Sequence, residues 1–132
     1  MALKAKPVVL LIDPDSGCGD ALSRALQGLD INTHTAGSAE AGRSLLKNYP
    51  LDVLVVNLRP GFEAEGMALA QEVDRSVGLI LCKPRNKHIP HVYEDGRPVS
   101  LEYPLTPHKI ASVILQITTK ARIKRDQQPK PA

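Results

Sequence analysis

The sequence predicts an α/β protein in which a parallel β-sheet is covered by helices on both faces. The first observation is that short apolar runs alternate along the chain with segments of helical period. The second is the run over residues 51–57, where four consecutive apolar residues end on an amide. A run of this length indicates a strand buried on both faces, as strands of parallel sheets are. Alternation with helices favours right-handed βαβ units.

The first predicted strand covers residues 7–12 and leads into a helix. Asp15 or Ser16 can cap this helix, because the short oxygen side chains of such residues accept from the free N–H groups of a first turn. Gly28 and Asp30 end it. Its inward positions share helical spacing: Ala21, Leu22, Ala25, Leu26 and Leu29.

A shorter and more polar strand follows over residues 31–36, and we expect it near an edge of the sheet. Ser38 then caps a second helix, which stops before Pro50. The inward residues of this helix are Ala39, Ala41, Leu45 and Leu46. The central strand over residues 51–57 comes next.

The second half of the chain continues the alternation and then interrupts it. After a turn-rich loop over 59–62, the sequence predicts a helix over 63–75 and a strand over 78–82. Residues 83–100 contain three prolines and no helical period, so we expect a loop or short hairpin there instead of a helix. A last strand is predicted over 99–103.

The last helix begins after this strand. Thr106 caps it, and Pro107 takes its first turn, where the missing N–H of proline is not needed. The inward stripe of this helix consists of Ile110, Val113, Ile114 and Ile117.

Composition indicates one ordinary domain with an aliphatic core. The 132 residues are 42% hydrophobic and 23% charged, with one Phe and no Trp. We expect a domain over 1–122 and a basic, disordered tail over 123–132. Residues 120–132 carry a net charge of +4 against +3 for the whole chain, so the rest is close to neutral. The high pI is therefore no argument for a nucleic-acid-binding face on the domain.

The cysteine count and the hydropathy pattern exclude several classes of protein. Cys18 and Cys82 are too few for a disulfide framework or a zinc signature. His88 and His91 have metal-like spacing but lie in a proline-broken stretch, so we expect a solvated loop there. Neither a signal peptide nor a run of ~20 apolar residues is present, which favours a reducing cytoplasm and no membrane contact.

Three stretches of the chain form a pattern of motifs whose order and spacing are informative about the family. Residues 10–15 end a strand on acidic residues, and residues 35–47 join a strand to a capped helix. Residues 52–61 end the central strand on Asn57 and continue into a proline-glycine turn. In this order and spacing they resemble the receiver domain of bacterial two-component response regulators. The resemblance implies a flavodoxin-like sheet of five parallel strands in the order 2-1-3-4-5.

The resemblance also implies a site at the carboxyl ends of the strands, where receivers hold Mg²⁺ and accept a phosphoryl group on an Asp. Asp13 matches the first metal-binding acid, but Pro14 stands at the second and Asp15 follows one place later. Asn57 stands at the acceptor, and an amide is not a useful nucleophile. Mg²⁺ prefers anionic oxygen ligands, so the remaining acids make a poor metal site. We therefore expect no catalytic residue, no metal and no cofactor.

Two further positions depart from the family pattern. Cys82 stands at a Thr or Ser, and Tyr103, before Pro104, stands at a Lys. In the family the bond before this proline is cis, so we expect a cis Tyr103–Pro104 bond. The Tyr103 ring would then fill the crevice near Asn57 and Cys82, with its hydroxyl bonded to Asp13 or Asn57. Cys82 itself is expected to be a small buried hydrophobe, with a redox role as the alternative.

These departures predict a pseudo-receiver, which acts without phosphorylation through protein–protein contacts in bacterial signalling or transcription regulation. It is not expected to be an enzyme, and its partner is a regulatory protein or a second copy of the chain. One alternative is a metal-dependent phosphoacceptor receiver. Another is a small-ligand or nucleic-acid binder that uses the crevice or the basic tail. The tail residues concerned lack interleaved aromatic residues and are Lys120, Arg122, Lys124 and Arg125.

Overall fold

A computed structural model describes residues 6–85, 98–103 and 105–127, with side chains as far as residue 123. The described strands are β1 (Val8–Ile12), β2 (Asn32–Ala36), β3 (Val53–Asn57), β4 (Gly78–Lys83) and β5 (Val99–Glu102). The described helices are α1 (Ser16–Gln27), α2 (Ala39–Asn48), α3 (Glu63–Glu72) and α4 (Pro107–Gln127).

The strands form one parallel sheet in the order β2-β1-β3-β4-β5, which confirms the predicted fold class. β2 lies at an edge, as its polar sequence indicated. The predicted loop or hairpin in place of a helix concerns residues 83–100, and residues 86–97 of this stretch lie outside the described residues. The predicted strand over 99–103 ends one residue early, at Glu102.

Side-chain alternation along the strands divides the core into two layers. One layer packs between the sheet and helices α1 and α4, and its strand residues include Val9, Leu11, Val53, Val55, Ile80 and Cys82. The other packs against α2 and α3, and its strand residues include Leu10, Ile12, Leu54, Val56, Leu79 and Leu81. The first layer determines which residues meet at the carboxyl edge of the sheet.

Three helix starts follow the predicted capping chemistry. Asp15, rather than Ser16, caps α1, and its carboxylate accepts from the N–H of Cys18 at 3.1 Å. The Ser38 hydroxyl caps α2 by accepting from the N–H of Ala41 at 3.1 Å. The Thr106 hydroxyl accepts from the N–H of Lys109 at 3.2 Å. These caps fix where α1 and α4 begin, close to the carboxyl edge of the sheet on the face that both helices cover.

The inward faces of α1 and α2 differ from the prediction. Ala21 and Leu29 are exposed, as is Ala41 in α2, whereas Gly42 is buried. A Cβ atom on Gly42 would lie 2.7 Å from the Cδ1 atom of Ile12. α2 therefore approaches the sheet through its glycine, and this rotates Ala41 outward.

The last two helices also differ in length from the sequence prediction. α3 ends at Glu72 rather than at residue 75, because Val73 already has an extended backbone. α4 continues to Gln127, so residues 123–127 are helical where a disordered tail was predicted. Among the described residues, none of the helices combines the length and the apolarity that crossing a membrane requires.

Candidate functional site

The carboxyl edge of the sheet brings four of the predicted site residues to one side. Leu11, Val55, Ile80 and Leu101 face α1 and α4. The residues that come two places later therefore point to the same side, because strand side chains alternate. These residues are Asp13, Asn57, Cys82 and Tyr103, and Asn57 lies directly beside Cys82 in the strand register.

Asp13 is the centre of this group, and its side chain is only 1% exposed. Its Oδ1 atom accepts from the N–H of Asp15 at 2.9 Å and from Arg59 Nε at 2.5 Å. Its Oδ2 atom accepts from Asn57 Nδ2 at 2.6 Å and from Arg59 Nη2 at 3.0 Å. A carboxylate offers about four acceptor positions on its two oxygens. All four are used, so Asp13 is saturated by groups of its own chain.

Arg59 is the site residue that the sequence analysis missed. It lies in the turn after β3 and grips Asp13 with two nitrogens, a bidentate arrangement that suits a guanidinium. The hydrogen bond to Asp13 raises the pKa of Arg59 above its usual value, against the opposing effect of burial. The guanidinium carbon also lies 5.7 Å from the centre of the Tyr103 ring, within reach of a cation–π contact. Arg59 is thus a permanent cation held inside the site.

A charge argument could have found Arg59. With the acceptor carboxylate and the lysine both replaced, Asp13 still ends a buried strand as an anion. A buried anion needs a counter-charge, and Arg59 is the basic residue in the turn after the neighbouring central strand. Only the three-dimensional structure shows that its side chain turns inward to reach Asp13.

Asn57 is buried at 3% exposure and has a fixed amide orientation. Its Nδ2 group donates to Asp13, because turning the amide over would set its oxygen against a carboxylate oxygen. The other end of the amide, Oδ1, has no hydrogen-bond partner in the described part of the chain. Asn57 therefore supports Asp13 and leaves one acceptor unused.

Tyr103 partly fits the expected plug. Its ring is half-buried against the α1 and α4 layer, and burial raises the pKa of its hydroxyl. The expected bond to Asp13 or Asn57 is absent, because Tyr103 Oη has no partner within the described residues. Asp13 is saturated, which explains why it is not available. The predicted cis bond involves Pro104, which lies outside the described residues.

The two cysteines occupy different environments, and both are free thiols. Cys82 is fully buried beside Asn57, and burial raises the pKa of its thiol to about 12. Cys18 is exposed in the first turn of α1. Burial of this kind makes a thiol unreactive, so Cys82 packs as a small hydrophobic side chain.

Comparison with solved structures identifies the fold. A response regulator receiver domain protein from Clostridium thermocellum matches with a TM-score of 0.74 at 14% identity, over 89% of this chain and 98% of that one. The signal receiver domain of an HD domain-containing protein from Pseudomonas fluorescens Pf-5 also has a TM-score of 0.74. Its identity is 18%, over 97% of this chain and 98% of that one. A structure of adenylate cyclase from Rhodopirellula baltica matches with a TM-score of 0.77 at 20% identity, over 92% of this chain and 94% of that one.

The chain has the receiver-domain fold. The resemblance inferred from the sequence is thereby confirmed at the level of the fold. No protein-family model and no curated protein matches the sequence. The resemblance drawn from the sequence implies metal binding and phosphoryl transfer at the carboxyl edge of the sheet, which is where Asp13 and Asn57 lie.

The donor set at this edge does not fit the Mg²⁺ of a working receiver. Asp13 has no acceptor capacity left, and Pro14 is exposed and offers no side-chain ligand. Asp15 is exposed and serves as the cap of α1, and the N–H of Cys18 lowers its pKa. Within the described ranges, no group of three His, Cys, Asp or Glu side chains could hold a metal. His88 and His91 lie outside the described residues.

The basic residues proposed for nucleic-acid contact lie away from this edge, on the last turns of α4. Lys120 is exposed, and Arg122 is half-buried. The backbone at Lys124 and Arg125 is helical, and their side chains lie outside the described part. The described arrangement does not bring these residues to the site around Asp13.

Proposed function

We propose that this chain is a pseudo-receiver: a domain of the receiver fold that acts through protein contacts in bacterial signalling or transcription regulation without being phosphorylated at the acceptor position. It neither transfers a phosphoryl group nor uses Mg²⁺, and it is not an enzyme. The observation that carries this proposal is the saturation of Asp13 by Arg59, Asn57 and the N–H of Asp15.

The chemistry of phosphoryl transfer supports this reading. An acyl phosphate needs a carboxylate nucleophile and a metal that neutralises the incoming charge. Asn57 supplies no carboxylate, and Arg59 already neutralises the one acid in the floor of the site. Because arginine stays protonated at every physiological pH, this neutralisation does not switch. Regulation of the domain must therefore come from outside this site.

The signalling part of the proposal draws on the neighbours that share the fold. These neighbours include response regulator receivers and a signal receiver domain of an HD domain-containing protein. A domain of this fold without phosphotransfer chemistry retains its surface for contacts with other proteins. We therefore expect a signalling or regulatory protein, or a second copy of the chain, as the partner.

The chemical test is incubation of the whole chain with acetyl phosphate and Mg²⁺, followed by intact mass measurement. We expect no phosphoryl adduct, while a functioning receiver domain treated in parallel acquires one. A base-labile adduct on the wild-type chain would overturn the proposal and favour a phosphoacceptor receiver.

Two variants made in sequence separate the effect of Asn57 from that of Arg59. Asn57→Asp alone is expected to remain without an adduct, because Arg59 still occupies Asp13. Adding Arg59→Ala leaves the N–H of Asp15 as the one remaining donor to Asp13 among those described, so the double variant should show a saturable Mg²⁺ titration by NMR that Asn57→Asp lacks. If Asn57→Asp alone binds Mg²⁺ as tightly as the double variant, Arg59 does not block the site.

The partner test uses the wild-type chain as bait with and without acetyl phosphate. Captured proteins should be the same in both conditions, because the proposed interaction does not depend on phosphorylation. A partner retained only after acetyl phosphate treatment would contradict the proposal.

A further inference from the structure

A cleft of about 520 Å³ opens at the carboxyl edge of the sheet, between the start of α1, the turn after β3 and the start of α4. This volume falls in the range of pockets that hold small ligands. The walls of the cleft are mostly apolar side chains, which include Ala21, Leu22, Leu105 and Pro107. A ligand that fills this cleft therefore needs an apolar body.

Arg59 is the accessible member of the two charged residues that line the cleft in the described part of the chain. The other is Asp13, whose side chain is 1% exposed and whose four acceptor positions are used. The Arg59 side chain is 29% exposed, and its guanidinium carbon lies 5.7 Å from the ring centre of Tyr103, which also lines the cleft. A ligand that enters the cleft therefore meets the cation of the pair and not the anion.

The contact with Asp13 uses one edge of the guanidinium and leaves another edge for a ligand. Arg59 donates to Asp13 from Nε and Nη2, at 2.5 Å and 3.0 Å, so two of its five N–H groups are used. Within the described ranges, Asp13 is the partner in every hydrogen bond of this side chain. Because a guanidinium is planar, one N–H of Nη1 and the second N–H of Nη2 form a parallel pair that points away from Asp13. Such a pair matches the two oxygens of a carboxylate.

The charges around the cleft favour a single negative charge on the ligand. Asp13 and Arg59 sum to zero, and the exposed carboxylate of Asp15 also acts on Arg59. Cys18 and Pro107 line the cleft in the first turns of α1 and α4, so the positive ends of two helix dipoles lie there. A dianion would bring a second negative charge near Asp13 and Asp15 with no further cation among the described lining residues.

We propose that this cleft binds a small monocarboxylate with an apolar body. The carboxylate of the ligand accepts from the N–H groups of Arg59 that Asp13 does not use, and the apolar body packs against Leu22 and Leu105. Arg59 then joins two carboxylates, that of Asp13 and that of the ligand. This binding activity is separate from the lack of phosphorylation and does not depend on it.

Four probes separate the role of the carboxylate from that of the apolar body: benzoate, benzamide, acetate and inorganic phosphate. Each is titrated into the ¹⁵N-labelled whole chain at constant ionic strength and followed by NMR. We expect benzoate to shift the backbone amide signals of Cys18, Leu22 and Arg59 saturably. It should bind at least about tenfold more tightly than benzamide, which lacks the charge, or acetate, which lacks the ring. Tighter binding of phosphate than of benzoate would show a phosphate site instead and would overturn the proposal.

Matched variants localise the binding. Arg59→Lys keeps a cation beside Asp13 but has no second pair of parallel N–H groups, so it should weaken benzoate at least about tenfold. Arg43→Lys makes the same change in a surface pair outside the cleft lining and should leave the affinity unchanged. Ala21→Trp leaves Arg59 in place, puts a large ring in the cleft from an exposed position of α1 and should abolish binding. Ala41→Trp, at an exposed position of α2 outside the lining, should not.

Cys18 provides an independent reading, because it lines the cleft and is exposed while Cys82 is buried. Benzoate should slow the alkylation of Cys18 by N-ethylmaleimide, a neutral reagent, in the wild type but not in Ala21→Trp. The proposal would be overturned by the absence of saturable benzoate binding, by equal affinities for benzoate and benzamide, or by an unchanged affinity in Arg59→Lys.

Discussion

Replacing Arg59 by methionine tests how strongly the buried pair at the carboxyl edge holds the fold. Methionine keeps much of the apolar stem and removes the charge. Asp13 is then left with its bonds to Asn57 Nδ2 and to the N–H of Asp15, at 2.6 Å and 2.9 Å. Its side chain is 1% exposed, so the carboxylate cannot recover the lost pairing from bulk water without local opening.

The magnitude follows from the burial of the two partners. Removing one partner of a buried ion pair costs roughly 3–5 kcal/mol. Arg59 is 29% exposed and Asp13 keeps two hydrogen bonds, so the lower end applies. We therefore expect Arg59→Met to lower the free energy of unfolding by about 3 kcal/mol at neutral pH. For a domain of this size that corresponds to roughly 10 °C in melting temperature.

The chain offers a matched control on its surface. Arg43 binds Glu72 with the same bidentate geometry, at 2.7 Å and 3.0 Å, but the two side chains are 41% and 48% exposed. Exposed pairs contribute about 0–1 kcal/mol, so Arg43→Met should lower the melting temperature only slightly. Both variants are measured by urea denaturation and thermal melting under one buffer condition.

A double variant decides the cause. Asp13→Asn combined with Arg59→Met removes the uncompensated charge and should be more stable than Arg59→Met alone. The reasoning would be refuted if Arg59→Met costs no more than Arg43→Met. It would also be refuted if the double variant is less stable than Arg59→Met alone.

Three further predictions concern the core and its buried groups. In the folded chain at pH 8, only Cys18 should react with an aromatic disulfide reagent, because burial raises the pKa of Cys82 to about 12; fast reaction of two thiols would contradict this. Burial also raises the pKa of Tyr103, so its contribution to stability is complete below about pH 10, the unfolded value, and is lost as the pH rises further. Urea denaturation at pH 9 and pH 11 measures how much unfolding free energy is lost between the two pH values. This loss should be smaller for Tyr103→Phe than for the wild type, and equal losses would refute the assignment. Gly66→Ala should lower the free energy of unfolding by about 1–3 kcal/mol, because its Cβ would lie 2.7 Å from a leucine side-chain carbon. Gly17→Ala is the control in an exposed helical turn, where the nearest atom is 3.5 Å away, and it should be neutral or stabilising.

Local signals in the sequence were sufficient for the strands and for the helix starts. The apolar run ending at Asn57 predicted the central strand, whereas the strand order and the closeness of Asn57 to Cys82 followed from the family resemblance. The caps at Ser38 and Thr106 were readable because each depends on a side chain and a backbone group three residues away. Such short-range chemistry does not depend on the rest of the fold.

The parts that the sequence did not predict depend on contacts between distant segments. Arg59 reaches Asp13 across 46 positions of sequence, and nothing local to its turn indicates that direction. The outward rotation of Ala41 follows from the close approach of Gly42 to Ile12. The length of α4 was underestimated because a polar sequence near residue 126 resembles a disordered end, although it continues the helix.

The Arg59–Asp13 pair has a consequence for how the domain responds to its surroundings. A bound metal stabilises a fold by mass action, so its contribution rises and falls with the free ion concentration. A guanidinium that belongs to the chain cannot dissociate into bulk solution, and its effective concentration at Asp13 is fixed by the turn that carries it. The ends of β1 and β3 are therefore tied together to the same degree in ion-rich and ion-poor conditions. Chelators and changes in magnesium supply should leave the melting temperature of this domain unchanged.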